Sequence, residues 1–329
     1  VKNHKVSVKN WEKMEILYSA GTTGLPKGII YRHLYVYIGL MVARELKPLG
    51  YDESQTIYCP LPLFNGIIQM LVVLPALFAN ASLVIADKFH ASTFWEDIRK
   101  YDVSIFTYVG RMLSILMNQP QKEIERDHSV KWAYGVETYK EVWELFENRF
   151  GMSLHDVWAV TEGEGITINK EGTKGGKIGS IGKPIRGYLM KIVNQFGEEL
   201  PPGPENVGEI ISKINLPIRF EYYNKDGRAK KNVRRDNWFH SGDFGYKDKD
   251  GFIYFVGGKN DIIKREDRII YSREIEKIAN MHPFIIESSA FGVPGEHSRE
   301  EIKICVIVKY EEIISYEDLY KYFNEKMAY

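Results

Sequence analysis

Cysteine is almost absent: Cys59 and Cys305 are the two in 329 residues. They lie far apart, each in an apolar run. That excludes a disulfide scaffold and a cysteine zinc site, and suits buried thiols in a reducing, cytoplasmic compartment. Net charge is absent as well, with 44 Lys+Arg against 44 Asp+Glu. The balance argues against a generic basic nucleic-acid surface and gives no polybasic membrane signal. Val1 to Glu15 is polar and basic without an apolar core, so it does not read as a signal peptide. One stretch, Gly66 to Ala86, carries no charge and is long enough to span a bilayer. Gln69, Pro75, Asn80 and Ser82 interrupt it, which predicts a buried helix (Ile67–Phe78), a turn at Ala79-Asn80 and a strand, not a membrane span. Internal repeats and low-complexity tracts are absent too.

A chain of 329 residues is too long for one ordinary core and suggests two or three packed units. Up to about Phe150 strands alternate with helices. The strand candidates are Met14–Tyr18, Gln55–Tyr58, Ser82–Ile85, Ser104–Tyr108 and Lys131–Ala133. Between them fall helix candidates His33–Leu46, Ile67–Phe78, Ala91–Lys100, Gly110–Asn118 and Lys140–Arg149. Such alternation predicts crossover units and a helix-covered, mainly parallel sheet in an α/β fold, here residues 1–178. From 179 to 258 short strands sit among Gly, Pro and Asn clusters, the pattern of a small antiparallel β-barrel. Residues 259–329 read as a compact α+β unit, with helices Arg273–Met281 and Tyr316–Lys326 and strands Ile285–Val293 and Ile302–Lys309.

The segment Leu17-Tyr18-Ser19-Ala20-Gly21-Thr22-Thr23-Gly24-Leu25-Pro26-Lys27-Gly28 carries the chemistry. It follows an apolar approach that reads as a buried strand. Glycines let successive backbone N–H groups converge on one anion. Ser19, Thr22 and Thr23 add hydroxyl donors, and Lys27 adds a mobile positive charge. The natural target is a polyphosphate. It is not the GxxxxGK[ST] loop, because Lys27 is followed by Gly28 and the glycine spacing differs. Trp158-Ala159-Val160-Thr161-Glu162 then supplies an aromatic face, a hydroxyl and a hard oxygen ligand in one short stretch. Ser241-Gly242-Asp243 adds an acceptor-only carboxylate beside a glycine, suited to a sugar diol. By themselves the second and third motifs are weak: a Trp near a Glu is more often core plus surface, and a solitary Ser-Gly-Asp is ordinary turn chemistry.

Together these motifs resemble those of the AMP-forming adenylating enzymes, a superfamily of acyl-CoA synthetases, luciferases and peptide-synthetase adenylation domains. The loop is similar to the family's [ST]-S-G-T-T-G-x-P-K-G, Trp158 to Glu162 to its [YW]-G-x-T-E, and Ser241 to Asp243 to its [TS]-G-D. Tyr222-Tyr223-Asn224, Pro62 to Gly66, and Phe255 through Glu276 match further family segments. Several stretches look most like the crotonobetaine/carnitine-CoA ligase branch and its medium- or long-chain acyl relatives. The resemblance implies an acid–thiol ligase that uses Mg-ATP to make an acyl-adenylate from a small carboxylic acid and passes the acyl group to CoA. It assigns Ser19, Gly21, Thr22, Thr23, Gly24 and Lys27 to phosphates, Thr161 to the α-phosphate and Glu162 to Mg²⁺. Trp158 and Gly135-Val136-Glu137 fall to adenine, Asp243 to ribose, Phe64, Asn65 and Gln69 to the acyl site, and Lys264 to catalysis. It also implies a C-terminal unit that rotates about Lys259-Asn260, with a homodimer as an expected assembly.

The chain departs from the family pattern at Ala20, Ala159, Asn65 (usually histidine), Gly258 (usually arginine) and Asp267 (usually glycine). By the same comparison a preceding lobe of roughly 150 residues and a lysine beyond residue 329 are missing, as in a fragment or a reduced paralogue. A nucleotide-binding pseudoenzyme and an enzyme loading a carrier-protein thiol are therefore the alternative expectations.

Overall fold

The computed structural model describes residues 7–19, 26–122, 124–175, 177–218, 220–223, 234–265, 268–295, 300–309 and 314–327, with the backbone but not the side chains of 264, 265 and 268. A short antiparallel hairpin, β1 (Lys13–Ser19) and β2 (Lys27–Arg32), comes first. The main sheet follows, with β3 (Thr56–Cys59), β4 (Ser82–Ile85), β5 (Ile105–Val109), β6 (Trp132–Val136) and β7 (Ser153–Ala159) parallel in the order β4-β3-β5-β6-β7. Two short antiparallel strands, β8 (Ile166–Ile168) and β9 (Lys183–Pro184), extend it. The parallel strands are near-continuous apolar runs because helices cover both faces. Ile57, Ile105, Phe106, Ala133 and Leu154 are fully buried. Helix Lys140–Phe150 shows how such a cover is specified: Trp143, Phe146 and Phe150 fall on one buried stripe, and Gly151 at φ 75° ends the helix in the left-handed region.

β10 (Tyr188–Val193), β11 (Gly208–Ile214), β13 (Arg234–Arg235), β14 (Trp238–Lys247) and β15 (Ile253–Gly258) form a curled antiparallel sheet, while β12 (Glu221–Tyr222) joins the β1–β2 hairpin. Trp158, Ile181, Met190, Ile192, Ile210 and Ile253 fill its hollow. The last stretch pairs β16 (Ile262–Arg265) with β17 (Arg268–Tyr271) and β18 (Ile285–Pro294) with β19 (Glu300–Val308), against helices Ser272–Asn280 and Tyr316–Lys326. Its core is small, centred on Ile263, Ile270, Ile275 and Ala290.

Three sequence expectations change, while the reading of Gly66 to Ala86 as helix, turn and strand holds. Met14–Tyr18 is not a buried strand of the parallel sheet. It pairs with β2, a strand the sequence reading passed over, and Tyr18 is 61% exposed. β6 runs on through Val136, three residues beyond the Ala133 end of its candidate, so Tyr134-Gly135-Val136 is strand. Cys305 is exposed, because β19 alternates and the cysteine falls on its outward set. The charge-free stretch is a helical segment over 66–79 ended by Asn80 at φ 56°, then β4; among the described residues no helix is long and apolar enough to cross a membrane.

Candidate functional site

A cleft of about 690 Å³ opens at the C-terminal ends of β6 and β7, where ligands of parallel sheets normally sit. One wall is Val136, Glu137 and Thr138 after β6 together with Asp156 to Ala159 of β7. Facing it are His240 to Phe244 of β14, Phe255, Gly258 to Asp261, and Arg273 at the start of helix Ser272–Asn280. Lys27 and Ile67 complete the rim.

Asp156 anchors the first wall. Its carboxylate accepts from the Thr138 N–H at 3.1 Å, from the Thr138 hydroxyl, and from the Tyr108 hydroxyl at 2.9 Å. Burial pushes its pKa up to about 6 against the pull of those bonds. Glu137 takes a left-handed φ of 65° just beyond β6. A Cβ on Gly110 would lie 1.9 Å from the Glu137 carbonyl oxygen, so only glycine lets the two segments meet.

On the opposite wall the Ser241-Gly242-Asp243 turn is braced from beneath. Ser241 Oγ donates to the Ile210 carbonyl at 2.6 Å and accepts from the Asp243 N–H at 3.0 Å. Glu209 accepts from the Gly242 N–H at 3.1 Å, and its other oxygen lies 2.8 Å from His240 Nδ1. Asp243 accepts from the Trp158 indole N–H at 2.8 Å. Its pKa also rises to about 6, through burial first, with Asp261, Glu137 and Glu162 adding to the rise. A Cβ on Gly258 would stand 3.1 Å from Asp261 Oδ2 and 3.5 Å from Asp243 Oδ1, so these two carboxylates flank the position.

The Thr161-Glu162 turn beyond β7 is held by three phenols. Tyr31 donates to the Thr161 carbonyl, Tyr35 to the Glu162 carbonyl at 3.2 Å, and Tyr188 to the Gly163 carbonyl at 2.9 Å. The Glu162 side chain accepts from the Tyr222 hydroxyl at 2.8 Å, and burial raises its pKa while nearby Lys27 lowers it. Lys27 Nζ lies 5.8 Å from the Tyr222 ring centre. Among the described residues no group of three His, Cys, Asp or Glu could hold a metal. A half-buried carboxylate near Lys27 nevertheless fits Mg²⁺, which usually takes one or two carboxylates and completes its shell with phosphate and water.

The predicted residues therefore divide. Lys27, Val136, Glu137, Trp158 and Asp243 line the cleft, whereas Thr161 and Glu162 sit beside it around Tyr222. Ser19 pairs with Lys27 across the hairpin, so the two ends of the phosphate segment are described. Gly21, Thr22, Thr23, Gly24 and Asp267 lie outside the described residues, and Lys264 is described by its backbone in β16. Gly135 lies within β6, where a Cβ would come 2.1 Å from the Tyr108 carbonyl oxygen; its part is close strand packing behind the cleft. Phe64 is 78% exposed and Asn65 caps a helix through its Oδ1 at 2.9 Å from the Ile67 N–H. Gln69 Nε2 donates to the Leu63 carbonyl at 2.9 Å. Sequence reasoning missed Thr138, Asp156, Arg273 and the phenols. A carboxylate inside the apolar run of β7 was the one available sign of Asp156; nothing local marks the rest.

A family model described as AMP-binding enzyme matches residues 2–215. The chain is 30% identical over 306 residues to a steroid-22-oyl-CoA synthetase of Rhodococcus jostii, covering 89% of this chain and 54% of that protein. It is 30% identical over 331 residues to a crotonobetaine/carnitine–CoA ligase of Proteus mirabilis, covering 99% and 63%. ATP-bound MatB of Rhodopseudomonas palustris superposes with a TM-score of 0.84 at 21% identity, over 98% of this chain and 63% of that one. For an o-succinylbenzoate-CoA synthetase of Bacillus subtilis in complex with AMP the TM-score is 0.80 at 24% identity, over 97% and 64%. At these identities the two structures establish the fold. The chain spans between half and two thirds of the length of these relatives.

Proposed function

From the premise that the chain belongs to the AMP-binding enzyme family, we propose that it is the nucleotide-handling part of an AMP-forming acid–CoA ligase. The observation that carries this reading is the convergence of Asp243, Trp158, Glu137 and Lys27 on one cleft at the ends of β6 and β7. AMP would lie along that cleft, with its ribose at Asp243, its base against the Val136 to Thr138 segment, and its phosphate toward Lys27 and the Thr161 hydroxyl. Mg²⁺ held at Glu162 would neutralise phosphate charge.

In the first half-reaction a carboxylate oxygen attacks the α-phosphorus of ATP in line, and the bond to pyrophosphate breaks, leaving an acyl-adenylate. In the second, the CoA sulfur attacks the acyl carbon, the thiol proton leaves to solvent, and AMP departs with the electron pair. No covalent enzyme nucleophile is needed. The protein positions the reactants and stabilises charge on phosphorus oxygens with fixed donors and Lys27.

The small core after Asn260 and the separate core of the curled sheet support three units bounded near 178 and 258, the last of them turning between half-reactions. Arg273 stacks against the rings of Tyr139 at 5.3 Å and Phe255 at 5.0 Å, and Lys277 pairs with Glu141 at 2.7 Å, so that unit rests on the first through solvent-accessible contacts. Thiols without a disulfide partner among the described residues favour a cytoplasmic setting.

A second reading, a nucleotide-binding paralogue without turnover, is favoured by two observations. Asn65 is committed to a helix cap, and Gly258 leaves Asp243 and Asp261 without a guanidinium between them. ATP–pyrophosphate exchange with a panel of carboxylic acids separates the two. Exchange with at least one acid supports the ligase; AMP binding without exchange supports the paralogue; neither refutes both.

A further inference from the structure

Trp158 makes a bond that a base-stacking role does not call for. Its indole N–H donates to Asp243 Oδ2 at 2.8 Å across 85 residues of sequence. The ring is 8% exposed and packs in the hollow of the curled sheet with Ile181, Ile192 and Ile210. A Cβ on Gly165 would approach its six-membered ring to 2.7 Å, so the ring is wedged and its N–H points one way. An aspartate carboxylate on its own has a broad terminal torsion. With the Asp243 N–H tied to Ser241 Oγ and Oδ2 tied to the indole, that freedom is removed. Oδ1 is then turned to the Gly258 side of the cleft, 3.5 Å from where a Cβ would stand.

We propose that Trp158, besides lining the cleft, is a positioning residue whose indole N–H orients Asp243 so that Oδ1 receives the ribose hydroxyls. The proposal rests on the nucleotide reading above and adds to it which atom reads the sugar and what holds that atom in place. A hydrogen bond from a fixed donor to a carboxylate is strong when both are shielded from water. Removing the N–H while keeping an aromatic ring should release the carboxylate and leave the base contacts alone.

The test is calorimetric titration of the full chain with AMP and with 2′,3′-dideoxy-AMP, for wild type, Trp158→Phe, Asp243→Ala and the double variant. Trp158→Phe is expected to weaken AMP on the order of tenfold and to leave the dideoxy analogue within about twofold. In the Asp243→Ala background the same change should cost AMP binding almost nothing, because the acceptor of the indole N–H is gone. If Trp158→Phe weakens both nucleotides equally, or costs as much without Asp243, the ring acts on the base and the proposal falls. Trp158→Tyr, judged by the same criteria, replaces the phenylalanine variant if that one does not fold. A folded wild-type chain that takes up neither nucleotide overturns the nucleotide reading itself, and the positioning role with it. Nucleotide binding with the wrong variant pattern overturns the positioning role alone.

Discussion

The two walls of the cleft are built on different physical terms. The β6–β7 wall is held from inside: Asp156, Thr138 and Tyr108 form a closed set of buried hydrogen bonds at the end of a parallel sheet. Of the facing wall, the turn on β14 and Gly258, which pairs with Asp243, belong to the curled sheet; the part past them, Lys259 to Asp261 and Arg273, meets the first unit from outside. Its links there are ring stacking by Arg273 and the ion pairs Arg111–Glu287 and Lys277–Glu141, all reachable by water. Buried polar bonds are expensive to break singly, whereas exposed ion pairs contribute little and can exchange for water. The comparison teaches that one wall is tied by buried bonds and the outer part of the other by contacts that water can replace.

The contrast is broken most directly at Asp156. Asp156→Ala leaves the buried Thr138 N–H without its acceptor and takes from the Thr138 and Tyr108 hydroxyls their shortest bonds, and should cost about 3 kcal/mol of stability, read as a shift in denaturant midpoint. The same residue gives a pH signature. Burial lifts its pKa in the folded chain to about 6, above the ordinary aspartate value of 3.8, so the folded state binds the proton more tightly than the unfolded state does. Stability contributed by this group therefore rises as pH falls from about 6 toward 4, and is lost as pH climbs back. Denaturation of wild type and Asp156→Asn from pH 7 to pH 5 should show wild type gaining on the variant toward the acid side. Parallel curves would remove the assignment.

Next in size is Glu162, the proposed Mg²⁺ ligand beside the β6–β7 wall. Glu162→Gln keeps an acceptor for the Tyr222 hydroxyl but removes the charge. Mg-ATP binding should weaken about tenfold while AMP changes less than twofold, because AMP requires no metal bridge. Equal losses for both nucleotides, measured by titration at limiting Mg²⁺, would show that Glu162 is not the ligand.

A smaller effect is expected on the facing wall. Gly258→Arg would put a guanidinium between Asp243 and Asp261 and should tighten AMP several-fold, since a charged fork can reach sugar and phosphate oxygens. Asp261 Oδ2 must yield a few tenths of an ångström, which a flexible side chain allows. Unchanged affinity would mark Gly258 as neutral drift. The least change should come from Arg111→Ala, whose partner Glu287 sits at 2.7 Å with Arg111 66% exposed. A stability loss of about 0.5 kcal/mol or less is expected, vanishing in high salt; a loss of several kcal/mol would mean that water cannot replace those contacts.

Legibility in the sequence followed how local each cause was. Helix Tyr316–Lys326 and strands β4 and β10 fall where periodicity put them, because apolar spacing and flanking turn residues act within a few positions. The β1–β2 hairpin did not, since its pairing depends on β12, almost 200 residues away, as much as on its own pattern. The candidate site divides the same way. Lys27, Trp158 and Asp243 announced themselves in short motifs with a recognisable chemistry. Tyr31, Tyr35 and Tyr188 read as ordinary aromatics, and only folding brings their hydroxyls to the carbonyls of one turn.

By itself the sequence determined the family, the succession of α/β, antiparallel and α+β stretches, and the residue types available to a nucleotide, because each depends on neighbours in the chain. Tertiary structure decided which of those residues share a cleft. It bonded Trp158 to Asp243, gave Asn65 to a helix cap and Gly135 to strand packing, and set Asp156 behind the wall. Those outcomes turn on contacts between segments distant in sequence, where burial and the need to pair every buried polar group outweigh any local preference.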